Sequence, residues 1–242
     1  MSLLLSLFLL APALAGEVVA IYPSTDVLPQ NHLRFYVDFS ERMPSPRDLF
    51  AHLSLVDETT GETVEGAFAE TPIWNRARTR LTVLLHPGRQ KTDVGFGGKV
   101  LEVGHAYTLR IDETLAATEK RFTVGPMDRI QPDPETWSTQ LPEGPEDPLV
   151  VFFDEPLDAS YLPYAFEVGD LPLDVALGHE ERSVRLTTPG GWPAGELDLR
   201  RVETVEDLAA NSPERAFERR AGTSVSKPMP FEVRFTSSLP TR

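Results

Sequence analysis

Apolar side chains fall at every second position along Leu33-Arg34-Phe35-Tyr36-Val37-Asp38-Phe39, which puts Leu33, Phe35, Val37 and Phe39 on one face and predicts a half-buried strand. Shorter runs predict further strands over residues 53–56, 81–85, 107–111 and 121–124, separated by turn formers such as Thr59-Thr60-Gly61-Glu62. Helical periodicity is confined to residues 46–52 and 205–209, each long enough for a turn or two. Short strands at regular spacing, with Gly and Pro between them, predict an all-β sandwich or barrel.

The same order of features then returns. Leu149-Val150-Val151-Phe152-Phe153-Asp154-Glu155-Pro156-Leu157 repeats, in character, Phe35-Tyr36-Val37-Asp38-Phe39-Ser40-Glu41-Arg42-Met43, so that Phe153 stands where Phe39 stood and Leu157 where Met43 stood. Residues 81–87 are echoed by 184–189, and Gly104-His105-Ala106-Tyr107-Thr108-Leu109 by Gly195-Glu196-Leu197-Asp198-Leu199. Each half closes on an aromatic strand, Phe122-Thr123-Val124 and Phe231-Glu232-Val233-Arg234-Phe235. A repeat of this length predicts a domain duplication, because each copy is large enough to close its own core. The boundary is expected near Pro126, at the start of a Pro- and acid-rich stretch.

The N-terminus predicts export. Residues 3–10 are apolar apart from Ser6, and Ala13-Leu14-Ala15 puts small residues where a signal peptidase reads them, so residues 1–15 are expected to be a signal peptide cleaved before Gly16. The run is too short to span a bilayer, no later segment is long and apolar enough for a transmembrane anchor, and no Cys is present to carry a lipid. With 0 Cys in 242 residues, an exported chain must hold together by its hydrophobic cores alone. The net charge of -14 argues against nucleic acid as a partner, since phosphate binding needs clustered Lys and Arg.

Several short motifs carry a resemblance. Phe39-Ser40-Glu41-Arg42-Met43 is similar to the F-S-E-P-M strand end of bacterial Ig-like domains of the surface-layer (SbsA) type, with Arg42 in the place of proline; Phe153-Asp154-Glu155-Pro156-Leu157 keeps the proline. Trp192-Pro193-Ala194-Gly195, followed by Leu197 and Leu199, resembles that family's approach to a late strand. Glu206-Asp207-Leu208-Ala209-Ala210-Asn211 resembles its E-D-L-A-G-N turn, with Ala210 replacing glycine at a position expected to need a left-handed backbone. The resemblance implies two consecutive immunoglobulin-like antiparallel β-sandwich domains, residues 16–125 and 126–242, behind the signal peptide, in a secreted, periplasmic or cell-surface setting. It implies no catalytic residue and no cofactor.

The residues themselves point the same way on chemistry. Without Cys there is no thiol nucleophile, and His32, His52, His86, His105 and His179 stand singly, with no HExxH pair and no GxSxG elbow. Gly95-Phe96-Gly97-Gly98-Lys99 lacks the first glycine of a phosphate loop and has Val100 where Ser or Thr would hold magnesium. Asp207 and Asn211 are read as caps on backbone groups of a turn; calcium needs six to eight oxygens, more than Glu206, Asp207 and Asn211 offer. Trp74, Tyr161, Tyr164 and Trp192 are weighed as a sugar-stacking platform against core packing. The expectation is a non-catalytic envelope or surface protein, a binding or structural module whose partner is a protein or polysaccharide of the cell envelope. A secreted hydrolase or metal-handling protein on the same scaffold is the alternative. Arg89, Lys91 and Lys99, gathered in an insertion relative to the second copy, are the candidate binding residues.

Overall fold

The computed structural model describes residues 16–86, 99–215 and 230–237, and among them it contains strands and short 3₁₀ turns but no α-helix. Among the described residues, no helix is long and apolar enough to cross a membrane. The expected signal peptide, residues 1–15, lies outside the described residues.

The first nine strands are β1 (Val18–Tyr22), β2 (Val27–Pro29), β3 (Arg34–Phe39), β4 (Leu53–Asp57), β5 (Glu62–Thr63), β6 (Ile73–Trp74), β7 (Arg80–Leu84), β8 (Ala106–Ile111) and β9 (Thr118–Gly125). They form two sheets, ordered β1-β3-β7-β6 and β2-β9-β8-β4-β5. Pairings are antiparallel except that β2 runs parallel to β9, Val27 facing Thr123. Because side chains alternate across a strand, one face of each sheet is apolar: Phe35 and Val37 of β3 and Leu81 and Val83 of β7 share a buried cluster with Leu55 of β4, Leu109 of β8 and Phe122 of β9.

The second set is β10 (Ser138–Gln140), β11 (Leu149–Phe152), β12 (Phe166–Val168), β13 (Asp174–Leu177), β14 (Ser183–Thr187), β15 (Gly195–Arg201) and β16 (Glu232–Ser237). It forms sheets ordered β10-β11-β14-β13 and β12-β15-β16. These close over a separate cluster in which Val151, Leu186, Val168 and Leu199 surround the packed rings of Trp137, Phe153, Phe166 and Phe231. The repeat seen in the sequence is repeated in register: Val37 faces Leu81 across β3 and β7, and Val151 faces Val184 across β11 and β14.

Two expectations need correction. Residues 205–209 are not helical; Asp207 bridges to Leu157 and a turn follows. The cause is local, since Asp207 Oδ1 accepts the backbone N–H groups of Ala209 at 2.7 Å and Asn211 at 2.9 Å, offering the chain an alternative to helical bonds. This is the capping role anticipated for Asp207, and Ala210 takes the left-handed backbone that its glycine-like place demands, at φ 64°. The second correction concerns the outer face of β3. Tyr36, which alternation turns away from the core, is only 4% exposed, because the segment after β11 meets it there at Asp158 and Ser160.

A buried polar seam as candidate functional site

Alternation along β3 points Arg34, Tyr36 and Asp38 away from the first core. Asp38 stays within its own sheet, where Arg80 grips it with two nitrogens, Nε to Oδ1 at 2.5 Å and Nη2 to Oδ2 at 2.7 Å. Arg34 and Tyr36 instead reach the segment that follows β11. Arg34 Nε donates to Asp158 Oδ2 at 2.7 Å, its Nη2 donates to Glu206, and its guanidinium lies 5.6 Å from the centre of the Tyr161 ring. The Tyr36 hydroxyl donates to Asp158 Oδ2 at 2.9 Å and lies 3.0 Å from Ser160 Oγ. Ser160 in turn donates through its hydroxyl to Asp158 Oδ1 at 2.6 Å and through its backbone N–H to the same oxygen at 2.8 Å. The Asp158 side chain is 4% exposed and all its oxygens are engaged, as a buried carboxylate requires. Burial lowers the Arg34 pKa, but the charge and hydrogen bond of Asp158 together with Tyr36 and Glu206 outweigh it and the net shift is upward; burial and Asp158 together raise that of Tyr36.

Beside this network lies His32, 1% exposed, with its ring edge-on to Phe35 at 4.8 Å and Nδ1 3.1 Å from the Leu208 carbonyl oxygen. Burial lowers its pKa to about 4, so at neutral pH the ring is uncharged and Nδ1–H donates to that carbonyl. Asn31 and Asp128 tie the connecting segment to the same place: Asp128 N donates to Asn31 Oδ1 at 2.8 Å and Asn31 Nδ2 to Asp128 O at 2.6 Å.

Further along, Asp128, Glu155 and Asp207 bring carboxylate oxygens within 4.8 Å of one another. Burial, together with the charges of Asp207 and Asp128, pushes Glu155 up to about 8. Burial also pushes Asp207 up to about 7, against the lowering effect of its Asn211 hydrogen bonds. Three carboxylates this close either share protons or face a hard cation, because like charges in a partly dry site raise each other's pKa. Of the acidic stretch singled out in the sequence, only Asp207 joins this group; Glu206 turns to Arg34, and Asn211 donates to Asp207 Oδ2 at 2.8 Å.

Of the candidate binding residues, Arg89 and Lys91 lie outside the described residues. Lys99 is half-buried, and its ammonium donates to Gln30 Oε1 at 3.3 Å, while Gln30 Nε2 donates to Leu101 O. The four aromatics do not gather into a platform: Trp192 is 3% exposed in the second core, Trp74 packs on Phe39, Tyr161 lies under Arg34, and only Tyr164 is open to solvent. His105 Nδ1 pairs with Asp57 Oδ2 at 2.8 Å, and both line a cleft of about 770 Å³ together with Glu62, Glu102 and His86. Asp57 Oδ1 accepts the N–H of Thr59 at 2.9 Å; burial acts to raise the Asp57 pKa, yet the His105 and backbone bonds leave it lowered.

No protein-family model matches the chain and no curated protein is similar to it. Among solved structures, it is similar to the N-terminal part of the bacterial S-layer protein SbsC, at 14% identity and a TM-score of 0.31. That match covers 93% of this chain and 45% of the SbsC chain, so the protein spans less than half the length of that neighbour.

Proposed function

We propose that the chain is a non-catalytic exported protein of the cell envelope or surface, made of two tandem Ig-like domains, 16–125 and 126–242, and that it binds or braces a protein or polysaccharide there. The observation that carries this reading is strand order. β1-β3-β7-β6 and β10-β11-β14-β13 each follow the A-B-E-D order of an Ig sheet, and β12-β15-β16 follows C-F-G. In the first copy that second sheet gains β5 at one edge and the parallel β2 at the other.

A polar seam between the copies supports a bracing role, since fixed geometry between modules presents their loops as one surface. The stretch with Arg89, Lys91 and Lys99 is the proposed contact, three cations close in sequence on a chain of net charge -14. Two measurements test the reading. Sequencing the mature N-terminus should place it at Gly16 in an extracytoplasmic fraction, and an intact Met1 form confined to the cytoplasm would overturn export. Replacing Arg89, Lys91 and Lys99 together by Ser should leave the chain folded and weaken capture of an acidic envelope partner at low salt. Undiminished capture would move the interface elsewhere.

A further inference from the structure

The hairpin joining β13 to β14 contradicts the chemistry of its own turn. Arg182 N donates to His179 O at 3.1 Å, closing a four-residue turn, and its two central residues, Glu180 and Glu181, both have φ 55°. Two successive positive φ values mark the type I′ hairpin turn, whose central positions favour Asn, Asp and Gly because a Cβ crowds the left-handed backbone. Glutamate at both is a local violation, and such violations persist where the surrounding structure over-determines them.

The surroundings here are on the other pair of sheets. Hairpin tips ordinarily face water, yet Glu181 is 1% exposed. Its Oε2 accepts the N–H of Ser24 at 2.8 Å, across the seam in the segment between β1 and β2. On the first sandwich's own side, Lys120 of β9, its side chain 10% exposed, donates to the carbonyl of the same Ser24 at 3.1 Å. Ser24 is thus gripped from both sides, its donor by an anion of the second sandwich and its acceptor by a cation of the first. Glu180 makes no such reach; it stays beside Arg182 on its own turn, Oε2 3.5 Å from Nε.

We propose that Glu181 is a clasp: the strained turn exists to drive this carboxylate onto Ser24, and its release loosens this end of the seam while both sandwiches stay folded. Two glycine variants of the mature full-length chain separate strain from clasp. Glu180→Gly relieves the turn and keeps the contact, so it should raise the melting midpoint and leave hydrogen exchange at the Ser24 amide unchanged. Glu181→Gly relieves the same strain and removes the contact, so exchange at Ser24 should accelerate about tenfold or more and protease cleavage within residues 126–133 should rise, while amides of β3, β8, β11 and β15 keep their protection. Glu181→Ala, which keeps the strain and loses the carboxylate, should release Ser24 to the same extent and serves if the glycine variant fails to fold. Ser24 protection and cleavage in the Glu181 variants equal to those of Glu180→Gly would overturn the proposal, as would loss of strand protection together with the seam.

Discussion

Two groups of acidic side chains meet in the seam, and the chain treats them in opposite ways. Asp158 and Glu206 share the guanidinium of Arg34, and Asp158 also receives hydrogen bonds from Tyr36 and Ser160. Asp128, Glu155 and Asp207 crowd one another, and among the described residues none of the three forms an ion pair. The difference lies in the partner: a fixed cation offsets the charge of the first group, while in the second Glu155 and Asp207 have none and hold their protons to higher pH. A seam built this way is locked at one end and adjustable at the other.

The locked end is where the largest effect is expected. Arg34→Ala would leave Asp158 buried and unpaired, at a cost of about 3 kcal/mol, read as a lower midpoint in urea. An unchanged midpoint would show that the network contributes nothing net.

At the adjustable end the effect is smaller and depends on pH. The folded-state pKa values of Glu155 and Asp207 lie above their ordinary values of 4.5 and 3.8, so folding favours their protonated forms. Their contribution is fully present below those ordinary values and is lost as pH rises through about 7 for Asp207 and about 8 for Glu155. Melting temperature should therefore fall between pH 5 and pH 8, and Glu155→Gln should flatten that slope by raising the pH 8 value most; a slope left intact would contradict the assignment. His32 acts in the opposite sense. Its lowered pKa makes a contribution present above 6.5 and lost as pH falls through about 4, which sets an acid limit on the same seam.

The smallest effect belongs to the turn that presents Asp207. Ala210 holds φ 64°, and Ala210→Gly should stabilise by roughly 0.5–1 kcal/mol, left-handed strain being partly offset by glycine's greater freedom when unfolded. A destabilised variant would mean that the Ala210 side chain, 4% exposed, contributes more by packing than its backbone loses.

That position was legible in the sequence, as were the strands whose alternation is decided by their own core. The period-two run at Phe35, Val37 and Phe39 became β3, and the echo at residues 149–157 became β11 and its exit. Alternation says which side chains leave a core but not whether a second body covers them, so Tyr36 and Arg34 read as solvent-facing. Their partners lie 122 to 172 positions away, with no periodicity connecting them. The carboxylate group was hidden for a different reason: among 37 acidic residues, nothing local marks Asp128 and Glu155 as neighbours of Asp207. The turn at Glu180 and Glu181 was invisible because the sequence there violates the rule by which such turns are recognised.

Leu208 follows β15, yet its side chain is 7% exposed within the first cluster, among residues contributed by β1 to β9 and their loops. A polypeptide emerges from the ribosome, or from a translocation channel, with its N-terminus leading. The leading sandwich therefore lacks one piece of its own interior until residue 208 is out, and the two halves reach maturity together, a later-made loop acting as the stopper for the first-made core.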